Sequence, residues 1–110
     1  MHPRRGEVWW VSFDPSLGGE IQKTRPALIL SNNAANAVLN RVTVVPLTSQ
    51  TAKVYPAEAL VTLNGEQRKV MADQIMTASK QRLRDKLGNL SPADMLAVEK
   101  AVLLQLGIRH

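Results

Sequence analysis

At 110 residues, 45% of them hydrophobic, the chain has the size of one ordinary domain with enough material to bury a core. It contains no cysteine, which excludes a disulfide framework, thiolate metal ligands and a thiol nucleophile. Fourteen Lys and Arg oppose nine Asp and Glu for a formal charge of +5, a balance that favours a polyanionic partner such as nucleic acid or an acidic peptide.

Arg4-Arg5 opens into Gly6-Glu7-Val8 rather than a long apolar stretch, so it does not read as a twin-arginine signal. No apolar run approaches the roughly 18 residues of a membrane span. The expectation is a soluble, cytoplasmic protein of one domain, residues 1–110, with no membrane partner. Glu7 to Phe13 is aromatic and β-branched and stops at Asp14-Pro15, the pattern of a strand and turn. Side chains alternate along a strand, so Trp9 and Trp10 must point to opposite faces. One can be core; the other needs a second surface or a base to stack on.

Ser16 to Thr24 is a polar loop with two glycines, longer than a simple hairpin connection. Pro26 then suits the first residue or edge of a strand running to Leu30. Arg25 before it is pushed towards extended backbone. A permanently charged guanidinium is thus held at a strand mouth. Ser31 to Asn40 can hold a short helical turn capped by Ser31 or Asn32. Val42 to Leu47 is a third strand, ending in the hydroxyl pair Thr48-Ser49, and Thr48 to Pro56 is a loop. Glu58 to Leu63 is a fourth strand, Asn64-Gly65 a tight turn, and Lys69 to Met76 the returning strand, which would place Asp73-Gln74 inside it. Lys80 to Lys86 reads as a helical turn and Leu87 to Leu90 as a last short strand.

The clearest helix comes last. Ser91-Pro92-Ala93-Asp94 supplies a capping hydroxyl, proline at the first position and an acid in the first turn, and Gly107 ends it. Met95, Leu96, Val98, Val102, Leu103, Leu104 and Leu106 wrap most of its circumference, so it should be covered on more than one side, as at a subunit interface.

The available chemistry is narrow. His2 and His110 sit at opposite ends of the chain, so neither a histidine acid/base pair nor a histidine metal cluster is expected, and no cofactor or metal is called for. Arginine, threonine, serine and one carboxylate remain. This set fits cleavage of RNA, where the substrate's own 2′-hydroxyl is the nucleophile. The protein need only hold the reacting group in line and stabilise charge on the phosphate. The planar fork of Arg25 can donate two hydrogen bonds to phosphate oxygens, and Thr48 can add a third. The bland alternative is a surface ion pair at Arg25 and a capped turn at Thr48-Ser49. Gln74 serves base reading or a hydrogen bond to backbone, and Asp73 could pair with Arg25 or Arg82. Lys23, Arg68 and Lys69 read as solvated charges that attract RNA generally, and Met71, Met76 and Met95 as core.

Arg5-Gly6-Glu7-Val8-Trp9, Asp14-Pro15, Gly18-Gly19-Glu20, Thr24-Arg25-Pro26-Ala27 to Asn32, Val45-Pro46-Leu47-Thr48-Ser49, Asp73-Gln74-Ile75 and Arg82-Leu83 occur in one order. Leu87-Gly88-Asn89-Leu90-Ser91 and the last helix follow them. In this order and spacing the chain resembles the MazF/PemK-type toxins over essentially its whole length. The resemblance implies a mainly β fold, a small SH3-like (CcdB/PemK-type) β-barrel with a C-terminal α-helix. It also implies a homodimeric, metal-independent endoribonuclease of a type II toxin–antitoxin pair. Such a toxin cuts single-stranded RNA at short sequences, leaving a 2′,3′-cyclic phosphate and a 5′-hydroxyl.

By that resemblance Arg25 and Thr48 are the catalytic pair. Gly19, Glu20, Ser49, Gln50, Asp73 and Gln74 fall where relatives contact RNA, and a cognate antitoxin with an acidic tail is a partner. The family gives its arginine an acid/base role; a group with pKa above about 12 is a poor base, so charge stabilisation is the minimum role of Arg25. Some members carry His at the place of Gly19 and Arg where this chain has Met71, which throws more weight on Arg25. The alternative is a non-catalytic toxin of the same fold that grips a protein target such as a DNA gyrase subunit.

Overall fold

The computed structural model describes residues 2–15, 17–20 and 23–109; Ser16 and His110, named above, lie outside them. Among the described residues, seven strands join in one antiparallel, curled arrangement: β1 (Glu7–Ser12), β2 (Thr24–Ile29), β3 (Arg41–Thr48), β4 (Glu58–Leu63), β5 (Glu66–Met71), β6 (Met76–Ser79) and β7 (Leu83–Asn89). The order across the sheet is β4-β5-β3-β2-β1-β7, with β6 also paired to β3. Two helices complete it, α1 (Asn33–Val38) and α2 (Pro92–Leu106). No helix among the described residues is long and apolar enough to cross a membrane.

The eight-residue β3 is the spine. One edge pairs with β2; the other is shared, with Arg41 to Val44 against β6 and Leu47-Thr48 against β5. Pro46, which has no N–H to give a ladder, falls between the two shared stretches. There the chain leaves β5, makes a 3₁₀ turn over Ala72–Gln74 and re-enters as β6. The single returning strand expected over 69–76 is therefore two strands and a turn. β5 begins at Glu66, directly after the Asn64-Gly65 turn, and Asp73 and Gln74 stand on the turn rather than in a strand.

Asn64 and Gly65 both have positive φ, 51° and 82°, as a two-residue hairpin turn requires. The helical turn expected over 80–86 is also shorter. Only Lys80–Arg82 coil, and the last strand already starts at Leu83.

Alternation on the central strands feeds two cores. Val8, Leu28, Val45 and Leu47 join Val61, Val70 and the buried side of α2 (Met95, Val98, Ala101, Val102). Val11, Phe13, Ala27, Ile29, Val42, Val44 and Ala78 form a second cluster, on which Trp9 and Met76 pack. The two tryptophans part company as alternation demands: Trp9 packs and Trp10 remains 36% exposed. Met95 is core, while Met71 and Met76 are half-buried.

Both expected caps are in place. Asn32 accepts from the Ala35 N–H at 2.9 Å and Ser91 from the Asp94 N–H at 3.1 Å. Asp94 then accepts the Thr62 N–H of β4 at 2.9 Å, which seats α2 on the sheet. Gly107 closes the helix at φ 67°. The rest of α2 leaves Leu96, Leu104 and Leu106 exposed on the single chain, as is Ile108 just after its Gly107 cap.

Candidate RNA-binding site

The register of β2 and β3 sets the first half of the site. Ala27 is paired with Pro46, Leu28 with Val45 and Ile29 with Val44. The β2–β3 ladder ends at the Ala27–Pro46 pair; beyond it Arg25 is paired with Val11 on β1 and Thr48 with Lys69 on β5. Arg25 near the start of β2 and Thr48 at the end of β3 thus lie past the last paired rung of the two strands. They line a cleft of about 180 Å³ together with Trp10, Thr24, Pro26, Leu47, Ser49 and Arg68.

Thr48 Oγ1 accepts the Gln50 N–H at 3.2 Å, so its own hydroxyl proton is left to donate elsewhere. Arg68, half-buried on β5, brings a second guanidinium into the same cleft. Its hydrogen bonds run to the Gln67 carbonyl at 2.9 Å and to the exposed Glu66 carboxylate at 3.3 Å. An ion pair with so exposed a partner is weak, and phosphate oxygens could replace it.

The second half is a trough of about 300 Å³ lined by Phe13, Pro15, Glu20, Asp73, Gln74, Ile75, Met76 and Arg82. Gln74 Nε2 donates to the Gly19 carbonyl at 3.3 Å, tying the loop to the 3₁₀ turn. Glu20 Oε1 accepts the Leu17 N–H at 2.6 Å. Arg82 donates to the carbonyls of Ser12 and Asp14 at 3.0 and 2.7 Å, and among the described residues no ion pair joins it to Asp73.

The candidates from the sequence thus fall into two groups. Arg25, Thr48 and Ser49 meet in the cleft, while Glu20, Asp73 and Gln74 meet in the trough with Gly19 at its rim. Gln50 is exposed next to the cleft and bound back to Thr48. Among the described residues no group of three or more His, Cys, Asp and Glu is placed to hold a metal ion.

Two residues differ from the sequence expectation. Arg68 is a lining residue of the cleft rather than a solvated charge. The signal for it was the Asn64-Gly65 turn, which starts β5 at once and puts Arg68 on the face of Val70, the partner of the cleft residue Leu47. Lys69 is buried; its Nζ lies 2.9 Å from the Lys53 carbonyl and 3.1 Å from Glu58 Oε1.

A curled antiparallel sheet with a capping helix and a basic, hydroxyl-lined cleft at its strand ends belongs to the class of small β-barrel proteins. A family profile described as PemK-like, MazF-like toxin of type II toxin–antitoxin system matches residues 4–106. The chain belongs to that family. It is 40% identical to the endoribonuclease MazF9 of Mycobacterium tuberculosis, over 96% of this chain and 97% of the relative. Among solved structures, it resembles an endoribonuclease in complex with its cognate antitoxin from a Mycobacterial species. That likeness has a TM-score of 0.82 and 31% identity, over 98% of both chains. MazF from Deinococcus radiodurans superposes with a TM-score of 0.87 at 28% identity, over 98% of this chain and 99% of the other.

Proposed function

We propose that this protein is a sequence-selective endoribonuclease that cuts single-stranded RNA without a metal. The broader statement, an RNA-cleaving toxin of a toxin–antitoxin pair, follows from its family and from relatives that are endoribonucleases by name. The observation that supports the chemistry is the single cleft that Arg25 and Thr48 line together.

In the proposed reaction the 2′-oxygen attacks the adjacent phosphorus and loses its proton, and the bond to the 5′-oxygen breaks. The departing 5′-oxygen takes up a proton. A 2′,3′-cyclic phosphate and a 5′-hydroxyl result. Arg25 donates its paired N–H groups to the non-bridging oxygens as their charge grows, and the Thr48 hydroxyl adds a donor. Ser49 and Gln50 beside the cleft, and Gly19, Glu20, Asp73 and Gln74 at the trough, contact the flanking nucleotides.

Two copies form the working unit, with the exposed apolar side chains of α2 in their shared surface. An acidic, partly apolar antitoxin tail competes with RNA for the same basic surface, ordering as it binds. The protein works as one domain in the cytoplasm.

The test is incubation of purified protein with a mixed RNA pool in excess chelator. Cleavage should persist there and vanish when the nucleotide 5′ to the cut is 2′-deoxy. Loss of activity in chelator, cutting of the deoxy strand, or an intact pool overturns the mechanism; an intact pool with tight binding to a gyrase subunit would place the protein among non-catalytic toxins.

A further inference from the structure

The connection from β3 to β4, residues 49–57, starts at the cleft. It carries Ser49 and Gln50 and runs past Lys53 and Tyr55 before β4 begins at Glu58. A nine-residue segment with no strand or helix of its own samples many conformations unless something holds it. Here the holding group comes from beneath. Lys69 on β5 is paired with Thr48 on β3, so its side chain leaves the sheet on the face that Thr48 uses, under the loop.

Its ammonium is 2.9 Å from the Lys53 carbonyl and 3.1 Å from Glu58 Oε1, and lies 5.9 Å from the centre of the Tyr55 ring. Glu58 Oε1 also accepts the Tyr55 N–H at 2.8 Å. One buried cation therefore gathers the middle, the end and the aromatic side chain of the loop. At the other end, Gln50 is bound to Thr48. A buried ammonium held by one carboxylate and one carbonyl is expensive to release, which favours one loop conformation over the others.

We propose that Lys69 is a positioning residue for base selection. By clamping residues 49–57 over the sheet, it fixes where Ser49 and Gln50 meet the nucleotide beside the cut. This inference rests on the reading of the cleft as the cutting site. It adds a determinant of selectivity that touches no substrate.

The experiment compares wild type, Lys69→Met, Glu58→Gln and Lys69→Arg by two readouts. In hydrogen exchange, Lys69→Met should speed the hydrogen-bonded loop amides of Gln50 and Tyr55 by on the order of tenfold or more, the loss of a charged hydrogen bond, while the core of β2 and β3 stays protected. In cleavage, the preference of Lys69→Met for the best RNA site over single-base variants of that site should fall by on the order of tenfold. Its turnover on the best site should change less than its KM. Lys69→Arg, which keeps a cation under the loop, should recover part of both. Should Lys69→Met fail to fold, Glu58→Gln loosens the same clamp with the Lys53 contact retained, and the same two changes are expected. Unchanged exchange at Gln50 and Tyr55 in a folded variant, or a loosened loop with undiminished base preference, overturns the proposal. The exchange readout needs no RNA, so a wild type that fails to cut would sink the cleavage reading while the clamp is still decided.

Discussion

In the cleft, Arg25, Thr48 and Arg68 project from three neighbouring strands, whereas in the trough Glu20, Asp73 and Gln74 project from a loop and a 3₁₀ turn. The lining differs in charge as well. Among the described residues, the lining of the cleft includes two guanidiniums and no carboxylate, while that of the trough includes two carboxylates, an amide and an arginine turned towards backbone carbonyls. Strand ends keep their geometry because the ladder behind them is bonded and packed, which is what stabilising a transition state demands. Turns and loops offer mixed donors and acceptors that suit base edges. Rate should therefore live on the strand ends of the cleft, and selectivity in the trough and in the 49–57 loop that leaves the cleft.

The sharpest way to break that division is Arg25→Lys, which keeps charge but loses the fork. Turnover should fall by on the order of a hundredfold with melting temperature unchanged, because Arg25 is exposed at the end of β2. Full activity would return Arg25 to an ordinary surface role. Next comes Thr48→Val, which preserves the branched shape that the strand favours and removes the hydroxyl. A lost neutral donor should cost on the order of tenfold in single-turnover rate, with RNA affinity nearly kept. If both substitutions altered only KM, the cleft would be a binding surface and the division would fail.

The trough should answer differently. Gln74→Ala removes the bond to the Gly19 carbonyl and a candidate base contact together. The preference among RNA sites should shift by roughly tenfold, about the worth of one hydrogen bond, while the fastest site keeps nearly its full rate. Sequencing of cut ends from a random pool measures this. A uniform loss of rate across all sites would make Gln74 part of the chemistry.

How legible these two regions were differs for a physical reason. β2 and β3 carry apolar runs punctuated by Arg25-Pro26 and Thr48-Ser49, so the strand mouths and the residues on them could be read directly. The C-terminal helix was legible from cap to cap, since Ser91, Pro92 and Gly107 each act within one turn. The 3₁₀ turn at Ala72–Gln74 was not. Its apolar neighbours Val70, Met71, Ile75 and Met76 look like one strand, and only the shared edge of β3 forces the break. Burial of Lys69 was equally hidden, because its partners at Lys53 and Glu58 lie 16 and 11 positions away and meet it only when β3, β4 and β5 assemble. The meeting of Arg25 and Thr48 in one cleft depends on β2 and β3 pairing as neighbours, which composition does not encode.

The smallest expected effect comes from the frame behind both regions. Glu7 on β1 accepts the Arg4 N–H at 2.8 Å and the Trp9 indole N–H at 3.0 Å, and its other oxygen lies 3.1 Å from Lys86 Nζ on β7. Partial burial pushes its carboxyl pKa up, but the two N–H donors and Lys86 outweigh that and leave it below the usual glutamate value. A carboxylate favoured in the folded state contributes stability above its unfolded pKa, about 4.3. That contribution is lost as pH falls through the lower folded value. Glu7→Gln should therefore cost about 0.5 kcal/mol near pH 7, given the half-exposed lysine partner, or a few degrees in melting temperature. The difference from wild type should shrink steadily as pH drops below 4. Cleft and trough should be untouched, so the rate on the best RNA site and the preference among sites should both match wild type at 25 °C. A change in only one of them would mean that β1 reaches that region through more than shared stability, with Trp10, on the same strand and in the cleft wall, as the first residue to examine.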